Sequence, residues 1–229
     1  MATAALVGST GLVGSNILSQ LLAHPSFSSV YAYTRRELSN PTASTKLTPL
    51  SSTDSSTWPS LFPTAPTPTI FFSGLGTTRG QAGGLENQRK IDLDLNYDLA
   101  KAAKEAGCDT YVLISSASAS SQSMLAYSKM KGELEDKVKD LGFKHTVFLR
   151  PGLIVGTRQD SRAPEAVMRG LATGLGKLSP MLKNSWAQDA DVIARAAVNA
   201  GLQCVDGKKE EGVWVLGQKE IIRLGEEKK

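Results

Sequence analysis

Cysteine and histidine are scarce in this chain. Its 229 residues hold two of each: Cys108, Cys204, His24 and His145. That argues against a disulfide framework. It also leaves a structural zinc site or a Cys-His nucleophile pair short of ligands, so two reduced thiols in unrelated settings are expected. Long apolar runs are missing too. None approaches the roughly 20 residues that cross a bilayer, so any membrane attachment is expected to be peripheral. A cleavable leader is not expected, because the first strand starts within a few residues of Met1 and cleavage would remove it. Nor is charge concentrated: the formal net charge is +4, spread along the chain. Dispersed basic residues describe a solvated surface, and nucleic-acid binding is not expected.

With 41% hydrophobic and 21% charged residues, the composition is that of a globular chain, and the length suits one α/β domain. The organising stretch is at the start. Ala4 to Val7 reads as a buried strand. Gly8, Gly11 and Gly14 follow at three-residue spacing, and Val13, Ile17 and Leu21 then fall on one helical face. Strand, glycine turn and helix together are the context of a dinucleotide-binding fingerprint. Gly8 would permit the sharp turn. Gly11 would let a pyrophosphate approach the backbone, and Gly14 would let the helix lie close on the strand. The amides of Leu12 and Val13 would face the phosphates at the positive end of the helix. The whole segment Gly8, Ser9, Thr10, Gly11, Leu12, Val13 and Gly14 is the candidate cofactor turn.

His24-Pro25 ends the first helix, and Ser29 to Tyr33 reads as a second strand. About twenty residues past the glycines an acidic residue would bind the ribose hydroxyls of NAD. No Asp or Glu stands there; Arg35 and Arg36 do. A guanidinium pairs two ways with a phosphate, which favours the 2′-phosphate of NADP(H). Residues 39–69 hold six of the ten prolines and read mostly as loop, with a short strand near Lys46 to Leu50 and a weak helical turn near Asp54 to Leu61. Thr69 to Phe72 is a further strand. The loop after it, with Leu75, Gly76 and Thr77, is expected to pass over the cofactor, since ligands in such sheets sit at the C-terminal strand ends. Arg79 to Gln88 reads as an exposed connection, and Asn87 to Ala106 as a helix with Ile91, Leu95, Leu99 and Ala102 inward. Strands follow at Tyr111 to Ile114, Val147 to Leu149 and Val213 to Leu216. Helices are expected near Met124 to Leu141, Pro164 to Thr173 and Gln188 to Leu202. This alternation predicts a single α/β domain: a Rossmann-type doubly wound parallel sheet, with a nucleotide-binding core over 1–150 and a small substrate-side cap over 151–229.

Tyr127 and Lys131 stand four apart on a predicted helix, so they share a face. An ammonium beside a phenol lowers its pKa, and a phenol so tuned can pass a proton to a carbonyl oxygen. A serine at the end of the preceding strand can hold that oxygen. Ser116 is the preferred candidate, Ser115 the second and Ser118 the third. Lys131 can also bond the nicotinamide ribose. Lys129 falls on another face.

The segments Gly8 to Gly14 and Tyr127-Ser128-Lys129-Met130-Lys131 resemble the signatures of the short-chain dehydrogenase/reductase superfamily, in its atypical, short form. Leu75 to Gly83, Lys131 to Glu135, Arg150-Pro151-Gly152 and Arg158 to Arg162 give a narrower likeness. They are similar to the Tat-interacting-protein oxidoreductases of animals and to fungal relatives described as proteins of the mitochondrial outer membrane. The resemblance implies a Rossmann-type fold, NADPH, a Ser-Tyr-Lys site and a backbone near Leu153 that borders the nicotinamide. It also implies a peripheral place on the cytosolic face of the mitochondrial outer membrane, where a cytoplasmic location is the alternative. The expected activity is NADPH-dependent reduction of a small carbonyl compound. The alternative is an NADPH-binding regulatory protein with little turnover and a protein partner.

Overall fold

The computed structural model describes residues 1–38, 44–156 and 187–226. Among the described residues nine strands and their helices alternate. In chain order come β1 (Ala2–Val7), α1 (Leu12–Ala23), β2 (Phe27–Thr34), β3 (Leu47–Ser51), a 3-10 turn (Ser55–Leu61) and β4 (Ile70–Ser73). Then follow α2 (Arg79–Ala82), α3 (Leu85–Arg89), a π-helical segment (Lys90–Leu95), α4 (Asn96–Glu105), β5 (Thr110–Ile114) and α5 (Ala126–Asp140). The remainder is β6 (His145–Leu149), β7 (Leu153–Val155), β8 (Ala187–Asp189), α6 (Ala190–Val205), β9 (Gly212–Leu216) and α7 (Gln218–Glu226). Seven strands form one parallel sheet in the order β3-β2-β1-β4-β5-β6-β9. This is the doubly wound α/β sheet the alternation predicts.

The strand sequences are nearly all apolar because both faces are covered. Along β1 the side chains alternate between two cores. Ala4 and Leu6 join Ile70, Phe72, Val112 and Val147 under α1, α6 and α7. Ala5 and Val7 join Phe71, Tyr111, Leu113 and Phe148 under α4, α5 and the 3-10 turn. Each fully buried Phe or Leu contributes roughly 1.5–3 kcal/mol. In α6 the inward positions are mostly alanine (Ala190, Ala194, Ala197 and Ala200), so that helix settles close to the sheet. Cys108 and Cys204 are both buried thiols in no disulfide.

Several expectations need correction. Residues 190–226 are not a cap: β9 completes the main sheet beside β6, and α6 packs against α1 within the first core. The helix expected from Gln188 begins at Ala190, and Gln188 itself sits in β8, which pairs with β7. The connection Arg79 to Gln88 contains α2 and α3. The helix expected from Asn87 starts at Leu85 and carries the π segment. Its buried face runs through Gln88, Asp92, Leu93, Asn96, Leu99, Ala100 and Ala103. Of the expected stripe, Leu99 is fully buried and Leu95 and Ala102 are half-buried against the same core, while beside the site the inward positions go to Gln88, Asp92 and Asn96. The helix near Pro164 to Thr173 and the segment Arg158 to Arg162 lie outside the described residues.

Candidate active site

The chain order reverses direction between β1 and β4, and the loops after these strands meet at the C-terminal edge of the sheet. Such a switch point opens a crevice. Here the two loops touch closely. Gly8 has φ +83°, and a Cβ on it would lie 2.5 Å from the Gly74 carbonyl. The Gly74 amide donates to the Val7 carbonyl at 3.0 Å. A Cβ on Gly14 would lie 2.0 Å from the Gly8 oxygen, so α1 starts against the strand end. Gly11 caps α1 with its amide donating to Gly8 O at 2.8 Å, and no side chain caps the helix. The amides of the first turn therefore lack intrahelical acceptors.

Ser9 is buried and its hydroxyl donates to the Tyr33 carbonyl at 2.8 Å. It ties the glycine turn to the end of β2 and so does a structural job the sequence did not reveal. Thr10 is exposed; Leu12 is half-buried and Val13 buried. Arg35 and Arg36 follow β2 with both side chains exposed, and the Arg36 amide donates to Thr34 Oγ1 at 3.1 Å. Leu75, Gly76 and Thr77 continue from β4 across the same edge. Leu153 opens β7 and is half exposed. The loop before it is fixed to the serine loop by the Ala117 amide, which donates to Pro151 O at 2.8 Å, and to β8 by the Gly152 amide, which donates to Gln188 Oε1 at 3.1 Å.

At the end of β5 the two leading serines part ways. Ser115 is buried and donates to Glu135, which also receives a two-pronged donation from Arg150. Ser116 is half-buried, 3.1 Å from Ser118 Oγ, and near enough to the Tyr127 phenol to lower its pKa. Ser128 Oγ donates to Ser118 at 2.9 Å. The serine loop lies on α5 at Gly132, where a Cβ would meet Ser121 N at 2.1 Å. Gly132 thus seats the loop that carries Ser116, a role the sequence reading missed.

Tyr127 is 44% exposed and Lys131 only 4%. The Lys131 ammonium sits 6.0 Å from the Tyr127 ring centroid. Burial lowers the Lys131 pKa, opposed by Asp92 and Glu135. Its Nζ makes no hydrogen bond or ion pair among the described residues. The Tyr127 pKa is raised, first by burial and then by the Asp92 carboxylate, against the Ser116 hydrogen bond. This corrects the expectation that Lys131 acidifies the phenol. Asp92, unrecognised in the sequence, is 1% exposed and opposes it. Asp92 Oδ1 accepts the Thr77 amide at 2.7 Å, and Gln88 Nε2 approaches its other oxygen at 3.5 Å. Asn96 extends the polar row: its amide donates to Leu75 O at 3.2 Å, while its Oδ1 accepts from Ser73 at 2.7 Å. The only early sign of these residues was four-residue spacing inside a predicted helix, which solvent-facing residues share.

A cleft of about 470 Å³ opens in front of Tyr127, lined by Thr77, Thr78, Arg79, Leu85, Gln88 and Ala126.

A family profile described as the NAD dependent epimerase/dehydratase family matches residues 4–178. The protein fmp52-1, mitochondrial, of Aspergillus terreus is 54% identical over 99% of this chain and 100% of its own length. The protein fmp-52, mitochondrial, of Neurospora crassa is 49% identical over 97% and 95%. Among solved structures, MoeE5 in complex with UDP-glucose and NAD superimposes with TM-score 0.69 at 16% identity, over 97% of this chain and 80% of that one. A UDP-N-acetylglucosamine 4-epimerase of Methanobrevibacter ruminantium gives 0.68 at 17%, over 94% and 76%. At such identities the likeness speaks for the fold alone. The matched profile covers most of the sheet and the site just described, and the fungal relatives match end to end: the chain belongs to the NAD dependent epimerase/dehydratase family.

Proposed function

We propose that this protein is an NADPH-dependent reductase of small carbonyl compounds. The observation that carries the reading is the buried Lys131 ammonium, unpaired among the described residues, one helical turn from a phenol that lines a cleft and is influenced by Ser116. The residues present fit a nicotinamide dinucleotide. The turn at Gly8 and Gly14 leaves no room for a side chain, and the first amides of α1 are uncapped. Gly8, Ser9, Thr10, Gly11, Leu12, Val13 and Gly14 would hold the pyrophosphate. Leu75, Gly76, Thr77 and Leu153 would border the ring end, and Lys131 would bond the ribose. Arg35 and Arg36 would take the 2′-phosphate. When bound, the cofactor supplies the hydride.

The chain's own residues do the rest. Ser116 would donate to the carbonyl oxygen and polarise it. Tyr127 would give that oxygen its proton as the carbon is reduced, and the exposed phenolate would recover a proton from solvent. The raised Tyr127 pKa keeps the phenol protonated, which suits an acid and therefore the reductive direction. Activity should fall as pH rises through the lowered Lys131 pKa or the raised Tyr127 pKa, whichever is met first.

The test is NADPH consumption against a panel of aldehydes, ketones and quinones. Tyr127→Phe should abolish turnover and leave NADPH affinity within about twofold, since the hydroxyl is not among the groups assigned to the nucleotide. Equal turnover by mutant and wild type rejects the acid role. Micromolar NADPH binding with no turnover on any member favours a nucleotide-binding regulator instead. Among the described residues no helix is long and apolar enough to cross a membrane. Relatives named mitochondrial support a mitochondrial location; from the resemblance we propose a peripheral place on the cytosolic face of the outer membrane. Fractionation that leaves it in the soluble cytoplasm contradicts this.

A further inference from the structure

The π-helical segment between α3 and α4 lies against α5 and turns Asp92 inward. π segments cost helical regularity and gather at functional sites. This one buries a carboxylate. Asp92 is held from two sides, by the Thr77 amide and by Gln88 Nε2, which also donates to Thr77 O at 3.0 Å. Gly76 lies between Asp92 and Lys131. A Cβ there would be 3.9 Å from both Asp92 oxygens and 3.8 Å from Lys131 Nζ. Both charges thus border the loop expected to cover the cofactor, separated by more than ion-pair distance.

We infer that Asp92 is a positioning residue of the reducing centre: its carboxylate keeps Lys131 a charged donor aimed at the Gly76 loop and keeps Tyr127 protonated. The inference rests on the reductase reading for its effect on turnover. The physics is simple. A buried ammonium without a counter-charge tends to lose its proton. Without Asp92, the Lys131 charge would also pull the phenol toward ionisation. Asp92 opposes both at once, and its own pKa is raised by burial and held down by Lys131, Thr77 and Gln88.

Other charges near the pair are accounted for. On α5, Glu135 faces Lys131 but is engaged by Arg150 and Ser115. Arg89 of α3 pairs with Glu133 at 2.7 Å, on the exposed side. Lys90 and Asp94 of the π segment are exposed, and Lys90 pairs with Glu86. From β5, the Tyr111 hydroxyl reaches Asn96 rather than Asp92.

The test is Asp92→Asn, which keeps the shape and can still accept from Thr77 but lacks the charge. Reduction needs Tyr127 protonated and Lys131 charged, so it is lost as pH rises through either pKa. Removing the carboxylate lowers both values, and the alkaline limb of kcat/KM should move down by about one pH unit or more. A purely structural role would lower activity at every pH and leave the limb in place. A second readout needs neither cofactor nor substrate. In apo protein labelled with 13C-lysine, the Lys131 Cε resonance should titrate at lower pH in the variant. A folded Asp92→Asn protein with both profiles unmoved overturns the inference and leaves the reductase reading standing. If no carbonyl is turned over, the lysine titration still decides. Lys131→Met provides the same test from the other partner: it should raise the titration of the Asp92 carboxyl, followed by 13C-aspartate. An unmoved Asp92 titration overturns the inference even if Asp92→Asn fails to fold.

Discussion

Replacing Gly14 by alanine would place a Cβ 2.0 Å from the Gly8 carbonyl oxygen and 2.7 Å from its carbon. Ordinary contact begins at 3.4 Å, so the start of α1 would have to retreat by 1.4 Å, the difference of those two distances. Backbone is the obstacle, and it cannot swing aside as a side chain does. The retreat would loosen Val13, Ile17, Leu18 and Leu21, all buried against the sheet. Overpacking of this kind costs about 3 kcal/mol, or about 6–12 °C in Tm for a domain of this size. Gly11→Ala makes the contrast. Gly11 has an extended backbone that alanine adopts freely, and its added Cβ would lie 3.1 Å from Gly8 O. That is a tight contact, offset by the ordering gain of alanine over glycine, about 0.4–1 kcal/mol. Stability should stay within about 1 kcal/mol of wild type. The methyl would nonetheless stand where a pyrophosphate must approach. Losing one charge-assisted amide bond of about 1.5–3 kcal/mol means roughly a 10- to 100-fold loss of NADPH affinity. Urea unfolding and nucleotide fluorescence titration measure the two effects separately. A Gly11→Ala protein that binds NADPH as tightly as wild type refutes the placement of the pyrophosphate. An unchanged Tm in Gly14→Ala refutes the packing argument.

Two further outcomes follow from the same geometry. Arg35→Ala should narrow the preference for NADPH over NADH about tenfold or more, since one charged pair to a phosphate is lost; direct titration of both nucleotides checks it, and tighter NADH binding by the wild type would contradict the phosphate reading. Glu135→Gln keeps one acceptor oxygen but removes the charge and the second oxygen, so Ser115 and the two-pronged Arg150 pairing cannot all be satisfied. Because the Arg150 side chain is 35% exposed, the loss should fall at or below the low end of the about 3–5 kcal/mol seen for broken buried pairs, read as a lower urea midpoint.

The sheet was legible because a strand covered on both faces needs an apolar run, and such runs at Ala4, Thr69, Tyr111 and Val147 stand out from their surroundings. The glycine turn was legible because its spacing reflects close backbone contact. Residues 190–226 were harder. Nothing local tells a cap from the last strand and helices of the core, since that choice depends on which distant edge β9 pairs with. Ser115 and Ser116 are chemically identical in sequence. Only the path of the chain just past β5, which turns Ser115 in toward Glu135 and leaves Ser116 on the side of Ser118 and Tyr127, separates them.

Local chemistry alone therefore determined the class of fold, the tight glycine turn at Gly8 to Gly14 and the four-residue spacing of Tyr127 and Lys131, because each depends on neighbours along the chain. Tertiary structure decided how those groups are tuned. Asp92 comes near Lys131 only after the π segment packs against α5, whereas Glu135, one turn on along α5, is a local neighbour. Electrostatic influence depends on distance through space and on burial, and neither is written in the order of the residues.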